Sequence, residues 1–240
     1  MKRFLLGSLF ILLVLEAVAQ QETGFQRWKF GVSGGMGYRT ARFKDLKDEW
    51  INRGVDKDIA ESFYDRQKWV QVINGEIYYL FNPSWGLGLK YRFTHSSAEK
   101  TNVMLADYPL SSDHVYIADI EQRNYFNFIG PSLYAQTWIN SNKTFKAVSS
   151  VSIGYTNYRQ ENKTGLVGEL FTGNAIGIQY GIGLEYFIHK KWAISSNLSF
   201  FNAIVGKVKA KNQYQSETIK LQDKISMAHL DLSIGICFYN

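Results

Sequence analysis

The clearest regularity in this chain is strict alternation of apolar and polar or small residues. From 176 to 189, Ile176, Ile178, Tyr180, Ile182, Leu184, Tyr186 and Ile188 alternate with Gly177, Gln179, Gly181, Gly183, Glu185, Phe187 and His189. A period of two sustained over that length predicts a strand with one apolar face. Trp28 to Arg39 has the same pattern, with Trp28, Phe30, Val32 and Met36 on one face and Lys29, Gly31, Ser33 and Arg39 on the other. Trp85 to Thr94 repeats it with Leu87, Leu89, Tyr91 and Phe93 against Gly86, Gly88, Lys90 and Arg92. So does the last strand, about 226–239, where Leu230, Leu232, Ile234 and Ile236 oppose His229, Asp231, Ser233 and Cys237. Five stretches fit less cleanly, at about 69–81, 118–138, 145–159, 192–204 and this last one at about 226–239. The second of these changes phase near Gly130-Pro131. That change predicts a bulge or bend, because Pro cannot donate to a ladder.

Eight strands result, and the links between them alternate in length. Those after the second, fourth and sixth are Asn82-Pro83-Ser84, Asn140 to Thr144, and His189-Lys190-Lys191. Those after the first, third, fifth and seventh are long and polar, at about 42–67, 96–116, 160–173 and 205–224. Short turns at one end and long loops at the other are the pattern of an outer-membrane barrel. The expected fold is therefore all-β, an eight-stranded antiparallel up-and-down transmembrane β-barrel with short periplasmic turns and long extracellular loops. Lipid supplies the physical reason for closure, since a backbone in hydrocarbon must satisfy its own hydrogen bonds and leave no edge. Trp28, Trp69, Trp85, Trp138 and Trp192 fall at strand ends, where interfacial aromatic girdles sit. The alternative, a soluble sandwich or lipocalin-like barrel, shares the period but does not explain the asymmetry of the links.

Residues 1–19 read as a secretory signal peptide, and residues 20–240 as the barrel domain. Lys2 and Arg3 precede the apolar run Phe4 to Leu15, and Ala17-Val18-Ala19 supplies a small-x-small cleavage site. That run is short of the roughly 20 residues a spanning helix needs. A chain exported in this way and then inserted is expected in the outer membrane.

Composition narrows the chemistry. The net charge of +6 over 240 residues becomes +5 without Lys2, Arg3 and Glu16, too small and scattered an excess to argue for nucleic acid. The single Cys forms no internal disulfide, and no Cys/His cluster is present, so no metal or other cofactor is expected. Twenty Gly against three Pro, with fifteen Tyr and sixteen Phe, suit a barrel in which only alternate residues meet lipid.

The signal peptide, the turn and strand Phe81-Asn82-Pro83-Ser84-Trp85-Gly86-Leu87-Gly88-Leu89, and the ending Cys237-Phe238-Tyr239 together resemble the small eight-stranded outer-membrane barrels of the OmpA-, OmpX- and OmpW-like type. The resemblance spans essentially all of residues 20–240. It implies recognition of the aromatic last strand by the barrel-insertion machinery, although here Asn240 follows the final aromatic. Such barrels include adhesins, structural anchors, small channels and lipid-modifying enzymes, so the fold does not choose an activity.

Three sets of residues are functional candidates. The first faces the lumen: Arg39, Glu76, Lys90, Arg92 and Gln179, with Glu185, Asn197, His229 and Asp231. An eight-stranded barrel is just wide enough for side chains to fill, so these groups are expected to pair, the sharper alternative being an ion or proton path. The second is His95 and Ser97, in phase with outward Tyr91 and Phe93 and with Glu99 nearby. Their placement is similar to that of the base and nucleophile in outer-membrane lipid A deacylases, and catalysis there needs a carboxylate behind the His and an oxyanion stabiliser.

The third set lies in the long loops. Leu46, Trp50, Ile51, Ile59 and Phe63 are spaced for short amphipathic helices that fold over the mouth or present a partner surface. Lys207, Lys209, Lys211, Lys220 and Lys224, against Glu217 and Asp223, form a basic tract suited to lipopolysaccharide phosphates. Asp107, Asp113 and Asp119 lack the dense spacing of a calcium loop. The expected function is a non-enzymatic barrel acting through envelope structure or its extracellular loops, with outer-membrane lipids as partners and any protein partner unnamed. The alternatives are a lipid A-modifying enzyme and a narrow solute conduit.

Overall fold

The computed structural model describes residues 26–40, 44–52, 54–106, 115–211 and 216–240. Its strands are β1 (Trp28–Arg39), β2 (Trp69–Leu80), β3 (Trp85–Ala106), β4 (Val115–Trp138), β5 (Phe145–Thr164), β6 (Val167–His189), β7 (Trp192–Lys211), β8 (Ser216–Ser226) and β9 (His229–Tyr239). Two helices, α1 (Lys44–Asn52) and α2 (Lys57–Gln67), join β1 to β2. Every pairing is antiparallel: β1 to β8 pair in chain order, β7 also pairs with β9, and β1 with β9 closes the ring. The nine strands make eight staves, because β9 and β8 run in succession along one β7: Trp192 to Phe201 pairs with β9, and Ile204 to Lys211 with β8.

Alternation is the cause of closure. Lipid-facing Val32, Leu87, Ile182 and Ile234 are exposed, while their neighbours Lys29, Lys90, Glu185 and Asp231 are buried in the lumen. Trp28, Trp69 and Trp192 are outward and exposed at strand ends. Trp138 departs from the expected girdle. Its ring lies 5.0 Å from that of Phe187, with the Lys146 ammonium 4.5 Å from its centroid, which places it inside the turn-end mouth.

The connections are asymmetric, but three of the four polar stretches read as loops are strand. β3 and β4 stay paired from Trp85↔Ala135 to Ala106↔Val115, interrupted only by a bulge between Lys100 and Val103, where Asn102 has φ 55°. β5 and β6 remain in register to Thr164↔Val167 and turn through Gly165, whose φ of +58° is one that L side chains rarely adopt. Most of 205–224 is the β7–β8 hairpin. These segments resembled loops because both of their faces leave the hydrocarbon, so lipid no longer imposes an apolar face, whereas backbone pairing continues regardless of side-chain polarity.

The expected bulge or bend at Gly130-Pro131 shifts no register, although the β4–β5 ladder skips both residues and resumes at Ser132↔Ser152. The β3–β4 register runs unbroken through Leu89↔Pro131 and Lys90↔Gly130. The phase change in the sequence arises because Phe126 and Phe128 point inward into an apolar cluster, while Ile129 and Leu133 keep facing lipid. Pro131 is accommodated by close backbones: a Cβ on Gly130 would stand 2.2 Å from Ile153 O, and one on Gly154 2.2 Å from Ile129 O.

The stretch from 44 to 67 is helical as its spacing predicts. Asp56 caps α2, its side chain accepting from Asp58 N at 2.8 Å, and the buried face is Ala60, Phe63, Tyr64 and Gln67, an i, i+3, i+4, i+7 set. That face packs on Ala98, Val103, Leu105, Ala118 and Ile120, the inward side of the β3–β4 hairpin, with Trp50, Ile51 and Ile59 alongside. Buried Gln67 ties the helix to the barrel top: its Nε2 donates to Gln122 O at 3.2 Å, and Asn124 Nδ2 donates to its Oε1. Residues 1–19, Asp107 and Asp113, and the side chains of Leu46 and Asp223 lie outside the described residues.

Candidate functional site

At mid-barrel the inward positions of β1, β2, β3, β6 and β9 bring opposite charges together. Glu76 accepts from Lys29 Nζ at 2.7 Å, and its other oxygen lies 3.6 Å from Lys90 Nζ. Lys29 also meets Glu185 at 2.8 Å. Arg92 Nη2 stands 2.9 Å from Asp231 Oδ1, and its Nε donates to Asn74 Oδ1 at 2.9 Å. Gln179, with its amide oxygen toward the cations, accepts from Arg92 Nη2 and Lys90 Nζ at 3.2 Å each. The cations Lys29, Lys90 and Arg92 are thus matched by the carboxylates Glu76, Glu185 and Asp231. That balance matters because an unpaired charge in this setting is strongly unfavourable.

His229 sits at the hairpin side of this layer. Its Nδ1 is 2.8 Å from Met227 O, a contact only a donor satisfies, which leaves Nε2 to accept from Arg92 Nη1 at 3.3 Å. The ring is therefore a neutral spacer beside the Arg92–Asp231 pair. Arg39 lies further toward the mouth, donating to Ser226 O at 3.1 Å with its guanidinium over Phe126. Asn197 lines a cavity of about 20 Å³ bounded by Lys29, Glu76, Lys90 and Tyr134, room for about one water.

Lys29 bridges the two halves of the network, yet it was not among the lumen candidates. Alternation already put it on the inner face of β1, so charge plus phase was sufficient signal. Tyr239, in phase with Cys237, shares that inner face, but neither it nor Tyr134 carries a charge that would mark it as a partner of the ion pairs. Here Tyr239 OH donates to Glu185, and the two phenols are 3.1 Å apart. Cys237 is buried in the same layer, its sulfur 3.7 Å from Glu185 Oε1.

The lumen is occluded above and below this network. On the hairpin side, Phe126, Phe128, Tyr158, Phe201, Val205, Val208 and Met227 form an apolar cluster across the bore. On the turn side, Tyr78, Leu80, Tyr134, Val148 and Tyr239 form another. Beyond it opens a vestibule of about 490 Å³ lined by Trp138, Phe187, Gln136 and Lys146, among others.

His95 and Ser97 do share the outward face of β3 with Glu99. His95 Nδ1 is 3.2 Å from Asn124 O, and its ring stacks on Tyr125 at 4.8 Å. Among the described residues, no carboxylate and no hydroxyl of Ser97 hydrogen-bonds His95, and Glu99 lies across from Glu121. Lys207, Lys209, Lys211 and Lys220 of the basic tract come to the outer face of the β7–β8 hairpin, and all five of its lysines, Lys224 included, are exposed.

A closed antiparallel barrel with an aromatic, apolar exterior and a filled polar interior defines a transmembrane β-barrel of the outer-membrane class. Residues 8–221 match the outer membrane protein beta-barrel domain, and the chain belongs to that family. Its turn end accordingly faces the periplasm and its hairpins the outside. None of the curated proteins matches. Among solved structures, the outer membrane protease OmpT from Escherichia coli is similar at 9% identity and a TM-score of 0.50, over 92% of this chain and 99% of that one. OprG from Pseudomonas aeruginosa is similar at 13% identity and a TM-score of 0.49, over 90% and 98%. Similarity at this level speaks to fold alone.

Proposed function

We propose that this protein is a non-enzymatic outer-membrane barrel that acts through its extracellular hairpins and contributes to the envelope as a closed wall. The observation that carries this reading is the lumen. Two apolar clusters sandwich a charge-balanced network, so the ion pairs bind one another rather than a passing solute. The exposed chemistry lies instead on the extended hairpins and on α2.

The test is functional reconstitution. Purified protein in planar bilayers is expected to give no discrete conductance, and in outer-membrane lipid no fatty-acid release. A stable conductance would establish the conduit alternative instead. Release that disappears in Ser97→Ala would establish the lipid A-modifying alternative.

A further inference from the structure

We propose that the outer face of the β7–β8 hairpin is a binding site for phosphate groups of the outer-leaflet glycolipid, lipopolysaccharide. This rests on the reading that the hairpins carry the function, and names their ligand class.

Three observations converge. Lys207 is the direct cross-strand partner of Lys220, on the same face. Like charges directly opposite are destabilising in a sheet. Second, Lys209 and Lys211 are exposed on that face too, and Lys224 is exposed nearby on β8. The described carboxylate of the hairpin, Glu217, pairs with Ala210 on the opposite, lumen-side face. The nearby arginines differ: Arg159 has Glu161 at 2.5 Å, and Arg123 is paired with Glu121. The lysines alone are gathered without a facing acid among the described side chains.

Height above the membrane is the third observation. Outward Asn127, Asn157 and Asn174 are successive cross-strand partners, with Asn157 Nδ2 donating to Asn174 Oδ1 at 3.1 Å and Tyr91 OH to Asn127 Oδ1 at 2.8 Å. Amides gathered on the outer face mark the upper edge of the hydrocarbon. In the β6–β7 register Gly173 faces Val208, which sets Lys207 beside Asn174 at that edge, in the headgroup zone rather than in bulk solvent. A dianionic phosphate between Lys207 and Lys220 would convert their repulsion into two charge-assisted contacts.

Full-length protein is compared in phosphatidylcholine vesicles with bisphosphorylated lipid A, with the same lipid dephosphorylated, and with free pyrophosphate. The readout is the unfolding midpoint by heat-dependent gel mobility, and affinity by titration. Bisphosphorylated lipid A is expected to raise the midpoint in a salt-sensitive way. Lys207→Gln with Lys220→Gln is expected to weaken its binding by on the order of tenfold. Lys220→Glu separates a binding role from a structural one: it is expected to raise the midpoint in plain phosphatidylcholine and to lose the lipid A effect. An equal shift with dephosphorylated lipid, or an equal shift with pyrophosphate alone, would overturn the glycolipid assignment. So would unchanged lipid A binding by the double variant. None of these outcomes bears on conductance or fatty-acid release, so the broader reading stands or falls separately.

Discussion

Arg92 Nη2 lies 2.9 Å from Asp231 Oδ1 with both side chains sealed from solvent, although the two residues come from β3 and β9 and are 139 positions apart. The contact spans the bore of the barrel. Ser199 Oγ also touches both, at 2.6 Å from Arg92 Nη2 and 2.7 Å from Asp231 Oδ1, so the pair cross-links β3, β7 and β9.

Removing one member of that pair strands the other. Arg92→Met is expected to lower stability by about 3–5 kcal/mol, while Arg92→Met combined with Asp231→Leu recovers most of the loss, because no buried charge then lacks its counterion. Urea unfolding in vesicles, followed through the folded and unfolded gel bands, measures both. Equal losses in the single and double variants would contradict this account.

The close backbone approach beside Pro131 makes a second, sharper contrast. Gly130→Ala places a methyl 2.2 Å from Ile153 O, whereas at Gly75, on the lipid face, an added Cβ meets nothing within 4 Å. Gly130→Ala is expected to cost about 1–3 kcal/mol and Gly75→Ala less than about 0.5 kcal/mol. The same unfolding titration distinguishes them.

The helical cap should loosen without the barrel opening. Phe63 is fully buried between α2 and the β3–β4 hairpin, with its ring 4.7 Å from that of Trp50. Phe63→Ala is expected to remove about 3–5 kcal/mol of packing from the cap alone. Limited proteolysis would then cut within 44–67 at least tenfold faster than in the parent, with the remaining barrel still resistant and still heat-modifiable.

Asp65 gives the cap a mild acid sensitivity. Its hydrogen bond with Lys68, 2.7 Å long, holds its carboxyl below the ordinary value, with Lys47 adding to the effect. A depressed folded-state pKa contributes stability that is present above the unfolded value near 3.8 and lost as pH falls through the folded one. Because Asp65 is half exposed, the effect is small. Protease sensitivity of 44–67 is expected to rise between pH 5 and pH 3 in the parent, and to rise less in Asp65→Asn.

Much of this molecule was legible because lipid enforces a period of two. Every outward residue of β9 was readable from Leu230 to Ile236, as was every inward one from His229 to Cys237. The signal weakened wherever that constraint lapsed. Phe126 and Phe128 looked like a phase error because an apolar side chain inside the bore is indistinguishable, in one dimension, from one facing lipid. The β3–β4, β5–β6 and β7–β8 extensions looked like loops because strands in water carry no obligatory apolar face.

The candidate site divides in the same way. The sequence alone determined that the chain builds a barrel wall, which residues turn inward, and that the inward set mixes acids and bases, since these follow from alternation along single strands. Only the tertiary structure decided the partners. Closing the ring brings β1, β2 and β6 side chains to one point, which makes Lys29 the bridge between Glu76 and Glu185. Antiparallel register likewise sets Lys207 against Lys220. Neither contact follows from spacing along the chain, because each depends on how far one stave slides past another before the sheet closes.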